Sequence, residues 1–151
     1  MTSHPQVRLI AATVSLLNAL SEDPARFSEL IGSPVPDGWP EFPEAIGFTM
    51  TYLQNAPEAD RPWSMQLFID HATARLVGSG GFAAPPVERT VEIGYEVAPE
   101  FRGQRFGVAA ARALVEQAVA QSPGRSRHRA HPARPESVDG CAGVARLRAR
   151  R

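Results

Sequence analysis

The chain has no lysine and a single cysteine, Cys141. One cysteine excludes an internal disulfide and fits a reducing compartment. Without lysine, all 16 basic residues are arginine, set against 16 acidic ones. That bias points to a GC-rich coding sequence. No apolar run reaches membrane length. The best candidate, Val7–Leu20, is short for a spanning helix and carries Arg8 and Asn18. No Arg-rich segment precedes it, so it does not read as a signal peptide. The expectation is a cytoplasmic protein.

What is present fits one globular domain. The length of 151 residues suggests one core of ordinary size, and 43% of the residues are hydrophobic. The zero net charge hides an asymmetry. Residues 1–124 hold 8 Arg and 14 acids, a net of −6, whereas 125–151 hold 8 Arg and 2 acids, a net of +6. The expected organisation is a folded domain over 1–124 and an Arg-rich tail over 125–151.

Along the first part, hydrophobic period assigns the elements. Val7–Ile10 reads as a strand and Thr13–Leu20 as a helix. Ser21–Pro24 starts a second helix, with Pro in the first turn and acids at the positive end. Gly32–Pro43 holds four prolines and reads as a loop. Glu44–Asn55 is a helix with Ile46, Met50 and Leu53 apolar. Trp63–Ile69 and Arg75–Phe82 are strands around a turn at His71–Ala74. Thr90–Val97 alternates, with Val91, Ile93, Tyr95 and Val97 on one face and Glu92, Gly94 and Glu96 on the other. Phe106–Gln121 is the strongest helix, ended by Ser122-Pro123-Gly124.

The segment joining the last two of these elements carries the chemistry. Val97-Ala-Pro-Glu-Phe-Arg102-Gly103-Gln104-Arg105-Phe106-Gly107 runs from a strand into a long helix. A loop at a helix N-terminus presents unpaired N–H groups at the positive end of the helix dipole, which suits a phosphate or pyrophosphate. It is not the dinucleotide fingerprint of dehydrogenases, and it lacks the Lys-Ser/Thr of a nucleotide-hydrolysing P-loop. An ordinary strand–helix turn covered by solvated Arg is the plainer alternative.

The segment resembles the acetyl-CoA-binding motif of the GNAT N-acetyltransferases. Arg102, Gly107 and the Val97/Pro99 pair match it, while Arg105 stands where the family usually has Gly. Leu76-Val-Gly-Ser-Gly-Gly-Phe82 and Val91-Glu-Ile-Gly-Tyr-Glu-Val97 are similar to the third and fourth strands of its ribosomal-protein-acetylating branch. The helix segment Ala110–Val115 also agrees, and the likeness covers Val7 to Gln121. It implies an α/β fold, a mixed and mostly antiparallel twisted sheet with helices on both faces. It also implies acetyl transfer from acetyl-CoA to an amine, with no metal.

Site residues follow from that resemblance. The pyrophosphate would lie on Arg102, Gly103, Gln104, Arg105, Phe106, Gly107 and Val108. The thioester arm would lie along Tyr95, Glu96 and Val97, on a strand edge that splays from a fifth strand. Glu92 is the candidate general base for the incoming amine, against a plainer reading as a solvated carboxylate. No Tyr follows Tyr95, so the general acid is unassigned. Trp39 and Trp63 are candidates for the acceptor pocket, with core packing the favoured use. The acceptor and the oligomeric state stay open.

The tail differs in kind. Arg125–Arg151 has no aromatic residue and no convincing period. It could be a disordered segment or an Arg-rich arm for nucleic acid. The favoured reading is a third one. A one-nucleotide shift after Gly124 permits codons for a segment similar to the family's next strand, Val-Ile-Ala-His-Thr-Leu-Pro, so the family's C-terminal end is expected to be disrupted. The chain would then be either an active acetyltransferase or an inactive CoA-binding fragment. His128, His131 and Cys141 match no standard zinc spacing.

Overall fold

The computed structural model describes residues 3–121 and 142–148. The elements run β1 Val7–Ala11, α1 Val14–Glu22, α2 Pro24–Ile31, α3 Glu44–Asn55, β2 Met65–Asp70, β3 Leu76–Phe82, β4 Thr90–Val97, α4 Phe106–Gln121 and β5 Ala142–Arg148. Short 3₁₀ turns occupy Glu58–Asp60 and Pro99–Phe101. The sheet order is β1-β2-β3-β4-β5, and each neighbouring pair is antiparallel.

Local chemistry sets the helix boundaries. The Thr13 hydroxyl accepts from Leu16 N at 3.1 Å and starts α1. Asp23 accepts from Arg26 N at 3.2 Å, with Pro24 at the first position of α2. These are the helix-start residues that satisfy otherwise orphaned N–H groups. Helix α2 ends at Gly32, whose φ of 72° is the left-handed cap. Strand β2 begins two residues later than the period suggests, because Trp63 N is held by Asp60 O at 3.0 Å in the preceding turn.

Helices lie on both faces. Strand alternation puts Tyr95 and Glu96 on opposite faces of β4. A Cβ on Gly107 of α4 would meet the Tyr95 ring at 3.3 Å, so α4 covers the Tyr95 face. On the other face, Ser79 pairs across from Glu96 and accepts a hydrogen bond from Trp39 Nε1 at 3.0 Å. Trp39 in turn stacks on Phe27 of α2, with ring centroids 6.2 Å apart. The main core joins Phe27, Leu67, Phe68, Ile69, Leu76, Ile93 and Leu114, all essentially inaccessible. A second cluster of Ala12, Leu17, Ile46 and Leu53 locks α1 against α3. Burying each such side chain contributes about 1.5–3 kcal/mol.

Strand β5 falls inside the segment that the sequence places in the Arg-rich tail. Its partner is β4, in a register from Thr90↔Arg148 to Glu96↔Ala142. The alternation in Ala142-Gly-Val-Ala-Arg-Leu-Arg148 is weak, with a helix-favouring Ala and no aromatic residue, so period alone does not mark it.

Candidate active site

The strand–loop–helix unit forms as the sequence suggests. After β4, the turn Pro99–Phe101 delivers the chain to Gly103 with φ 75° and Arg105 with φ 68°. Two left-handed residues within three positions fold the loop tightly onto the start of α4. Gly103 takes this conformation freely. Arg105 takes it at a steric cost, which is the physical reason that glycine suits its position.

The loop leaves its main-chain donors open. No N–H from Gln104 through Val108 meets an acceptor among the described residues; the first N–H to do so is that of Ala109, bonded to Arg105 O at 3.2 Å. These groups crown a 16-residue helix, so the dipole and the N–H groups converge on one spot. The side chains around them have other tasks. Phe106 is buried edge-on against Phe101, with centroids 5.7 Å apart. Gln104 Nε2 donates to Glu100 O at 2.9 Å. Arg105 Nη1 stands 3.1 Å from His4 Nδ1. Arg102 Nε donates to Val97 O at 3.0 Å, and its Nη2 to Glu41 Oε2 at 2.9 Å. The expected pyrophosphate residues, Arg102 through Val108, therefore share one loop. Tyr95, Glu96 and Val97 lie on the adjoining strand, with Tyr95 facing α4 and Glu96 facing away.

Glu96 is the unusual carboxylate. Its Oε1 accepts from Glu41 N at 3.3 Å, while its buried Oε2 meets no well-aligned donor among the described residues. Burial pushes its pKa up and the Glu41 charge adds to that, while the Glu41 N–H, Arg102 and the Ser79 hydroxyl oppose it only in part. Burial also raises the Tyr95 hydroxyl above its ordinary value.

Glu92 lies one alternation beyond Gly94 on the same face as Glu96 and lines a cavity of about 260 Å³ between α3 and the sheet. Trp63 and Phe82, edge to face at 5.1 Å, form part of its floor. Glu92 Oε2 accepts from Arg146 Nε of β5 at 3.0 Å. Trp39 and Trp63 both pack in the core, as favoured, and Trp63 also touches the cavity.

The outer edge of β4 is occupied. Its ladder with β5 covers Thr90 to Glu96, leaving Val97 beyond the last pair. The splayed, open edge implied by the resemblance is thus replaced, in this conformation, by paired strand. His128, His131 and Cys141 lie outside the described residues, as does most of the Arg-rich tail. Among the described residues, no group of three or more His, Cys, Asp or Glu side chains is placed to hold a metal ion. No described helix is long and apolar enough to cross a membrane.

Four contributors to this region escaped the sequence reading: Glu41, Phe48, Tyr52 and Arg146. Glu41 and Arg146 reach the site over 55 and 54 positions, a separation that no local pattern encodes. Phe48 left a usable signal, because it falls off the Ile46/Met50/Leu53 stripe and is 75% exposed.

Residues 13–139 match the family model described as acetyltransferase (GNAT) domain. No curated protein and no solved structure gives a match. With the matched range covering most of the chain, and with a strand–loop–helix unit that leaves its helix-start donors open, the chain belongs to the GNAT acetyltransferase family.

Proposed function

We propose that this chain transfers the acetyl group of acetyl-CoA to a primary amine, of a protein N-terminus or a small molecule, in the cytoplasm. The observation that carries this reading is the row of open N–H groups from Gln104 to Val108 at the start of α4. A pyrophosphate there accepts several oriented hydrogen bonds at once and meets the positive end of the helix. Gly107 lets the start of α4 pack closely on the Tyr95 ring, which a Cβ there would meet at 3.3 Å. Arg102 and Arg105 flank the same spot and add charge-assisted donors once their present partners yield. Acetyl-CoA supplies the activated acyl carbon: the amine nitrogen bonds to it, the thioester C–S bond breaks, and CoA leaves as a thiolate that takes a proton from water. Glu92, at the cavity wall, takes the proton that the amine must lose before or as its nitrogen attacks. The two strands leading into the loop support kinship with the ribosomal-protein-acetylating branch.

A second reading has its own observation. The closed β4–β5 ladder favours an inactive, CoA-binding chain from a frame-disrupted gene, since it covers the edge on which the thioester arm would lie. Calorimetric titration of acetyl-CoA separates the two, run on this chain and on one with the frame restored after Gly124. Binding and turnover by this chain support the first reading. Binding without turnover here, with turnover in the restored chain, supports the second. No binding by either defeats both.

A further inference from the structure

The cavity beside Glu92 has a chemical character that narrows the acceptor. Five of its lining residues are Phe48, Tyr52, Trp63, Met65 and Phe82, and Glu92 is the one charged wall residue among the described residues. We infer, building on the transferase reading above, that the acceptor is a small monoamine on an aromatic or branched apolar body, and not a polyamine or an amino sugar.

Five observations converge. The volume of about 260 Å³ holds one ring with a short arm, not an oligosaccharide. The aromatic walls favour an apolar body and attract an ammonium through their ring faces. Hydroxyl-rich acceptors would lose water and gain few partners, because among the described residues only Thr49 and Ser64 offer side-chain hydroxyls along the wall besides Tyr52, whose own is already bonded to Asp60 O at 3.2 Å. A polycation would need several carboxylates, whereas Glu92 is the one carboxylate on the wall among the described residues and is shared with Arg146. Phe48 has no core role that accounts for it. It is 75% exposed at the cavity, and covering it with substrate removes apolar surface from water.

The test measures 2-phenylethylamine, spermidine and an aminoglycoside against the full chain, by equilibrium calorimetry and by acetyl transfer. The expected result is that 2-phenylethylamine binds at least about tenfold tighter than either competitor, the scale on which an apolar pocket discriminates. Phe48→Ser should abolish that preference while leaving acetyl-CoA affinity unchanged. Where turnover occurs, Phe48→Ser should raise KM for 2-phenylethylamine with kcat little changed. Equal binding of the three amines, a preference for either competitor, or indifference to Phe48→Ser overturns the inference. Acetyl-CoA titration is scored separately. Its failure defeats the transferase reading, while amine binding still decides the character of the cavity.

Discussion

Arg102 and Glu41 stand 61 positions apart in the chain and 2.9 Å apart in the fold. The same guanidinium also holds Val97 O at 3.0 Å. One side chain thus ties the end of β4 to both the Pro-rich segment and the loop before α4. The pair is partly solvated, so its net worth is about 0–1 kcal/mol. The bond to Val97 O is charge-assisted and worth about 1.5–3 kcal/mol.

Arg102→Ala is therefore expected to lower the unfolding free energy by about 2 kcal/mol, against less than about 1 kcal/mol for Glu41→Ala. Urea denaturation of both variants checks this. Equal losses would mean that the Glu41 pair, not the main-chain bond, dominates.

Arg105 holds φ at 68°, a conformation costing an L-residue about 1–2 kcal/mol. Glycine avoids that cost but loses more chain entropy on folding, about 0.5–1 kcal/mol. Arg105→Gly should therefore stabilise the chain by up to about 1 kcal/mol, and Arg105→Val, β-branched, should destabilise it. Thermal melts that rank Val above Gly would show that the loop does not enforce this geometry.

Local patterns account for what the sequence made legible. Strand β4 and helices α3 and α4 are bounded as the periods predict, because strict alternation and helical spacing act within a few residues. Strand β5 was missed because its side-chain pattern is weak and its pairing with β4 is a long-range choice. At the site, the helix-start loop was readable since its function lies in main-chain donors. The Glu41–Arg102 tie and the Glu92–Arg146 pair were not, because each is made by chain folding rather than by spacing.

Glu96 sets a pH dependence of known sign. Burial raises its pKa above the ordinary 4.5, so the native state keeps this proton at pH values where the unfolded chain has lost it. Its favourable contribution is full below the unfolded value and fades as pH rises through the higher native one. Glu96→Gln should then be more stable than the parent chain near pH 8, with the advantage shrinking toward pH 4. Parallel curves for the two chains across that range would contradict the burial argument.

Trp39→Phe removes one buried donor and leaves the Ser79 hydroxyl, which it serves at 3.0 Å, with the Glu96 carboxylate alone beside it. Losing a partner inside the fold costs about 1–3 kcal/mol. The double change with Ser79→Ala should cost less than the sum of the two single changes, since the Trp39–Ser79 bond can be lost only once. A full double-mutant cycle in urea measures the coupling, and strict additivity would deny the bond any role.

Arg146 joins β5 to the wall of the cavity. It is exposed, its side chain retaining 80% of its accessible surface, so Arg146→Glu should change stability by less than about 1 kcal/mol. Its effect on binding should be larger in kind. The introduced carboxylate would face Glu92 as a like charge, loosening the ladder that now covers β4 from Thr90 to Glu96. If the thioester arm takes that edge, ladder and ligand compete for the same main-chain groups. Weakening the ladder should then tighten acetyl-CoA binding. Saturating acetyl-CoA should likewise speed deuterium exchange at the amides of residues 142–148 in the parent chain. Tight binding with unchanged exchange there, and no gain from Arg146→Glu, would move the thioester arm away from this edge altogether.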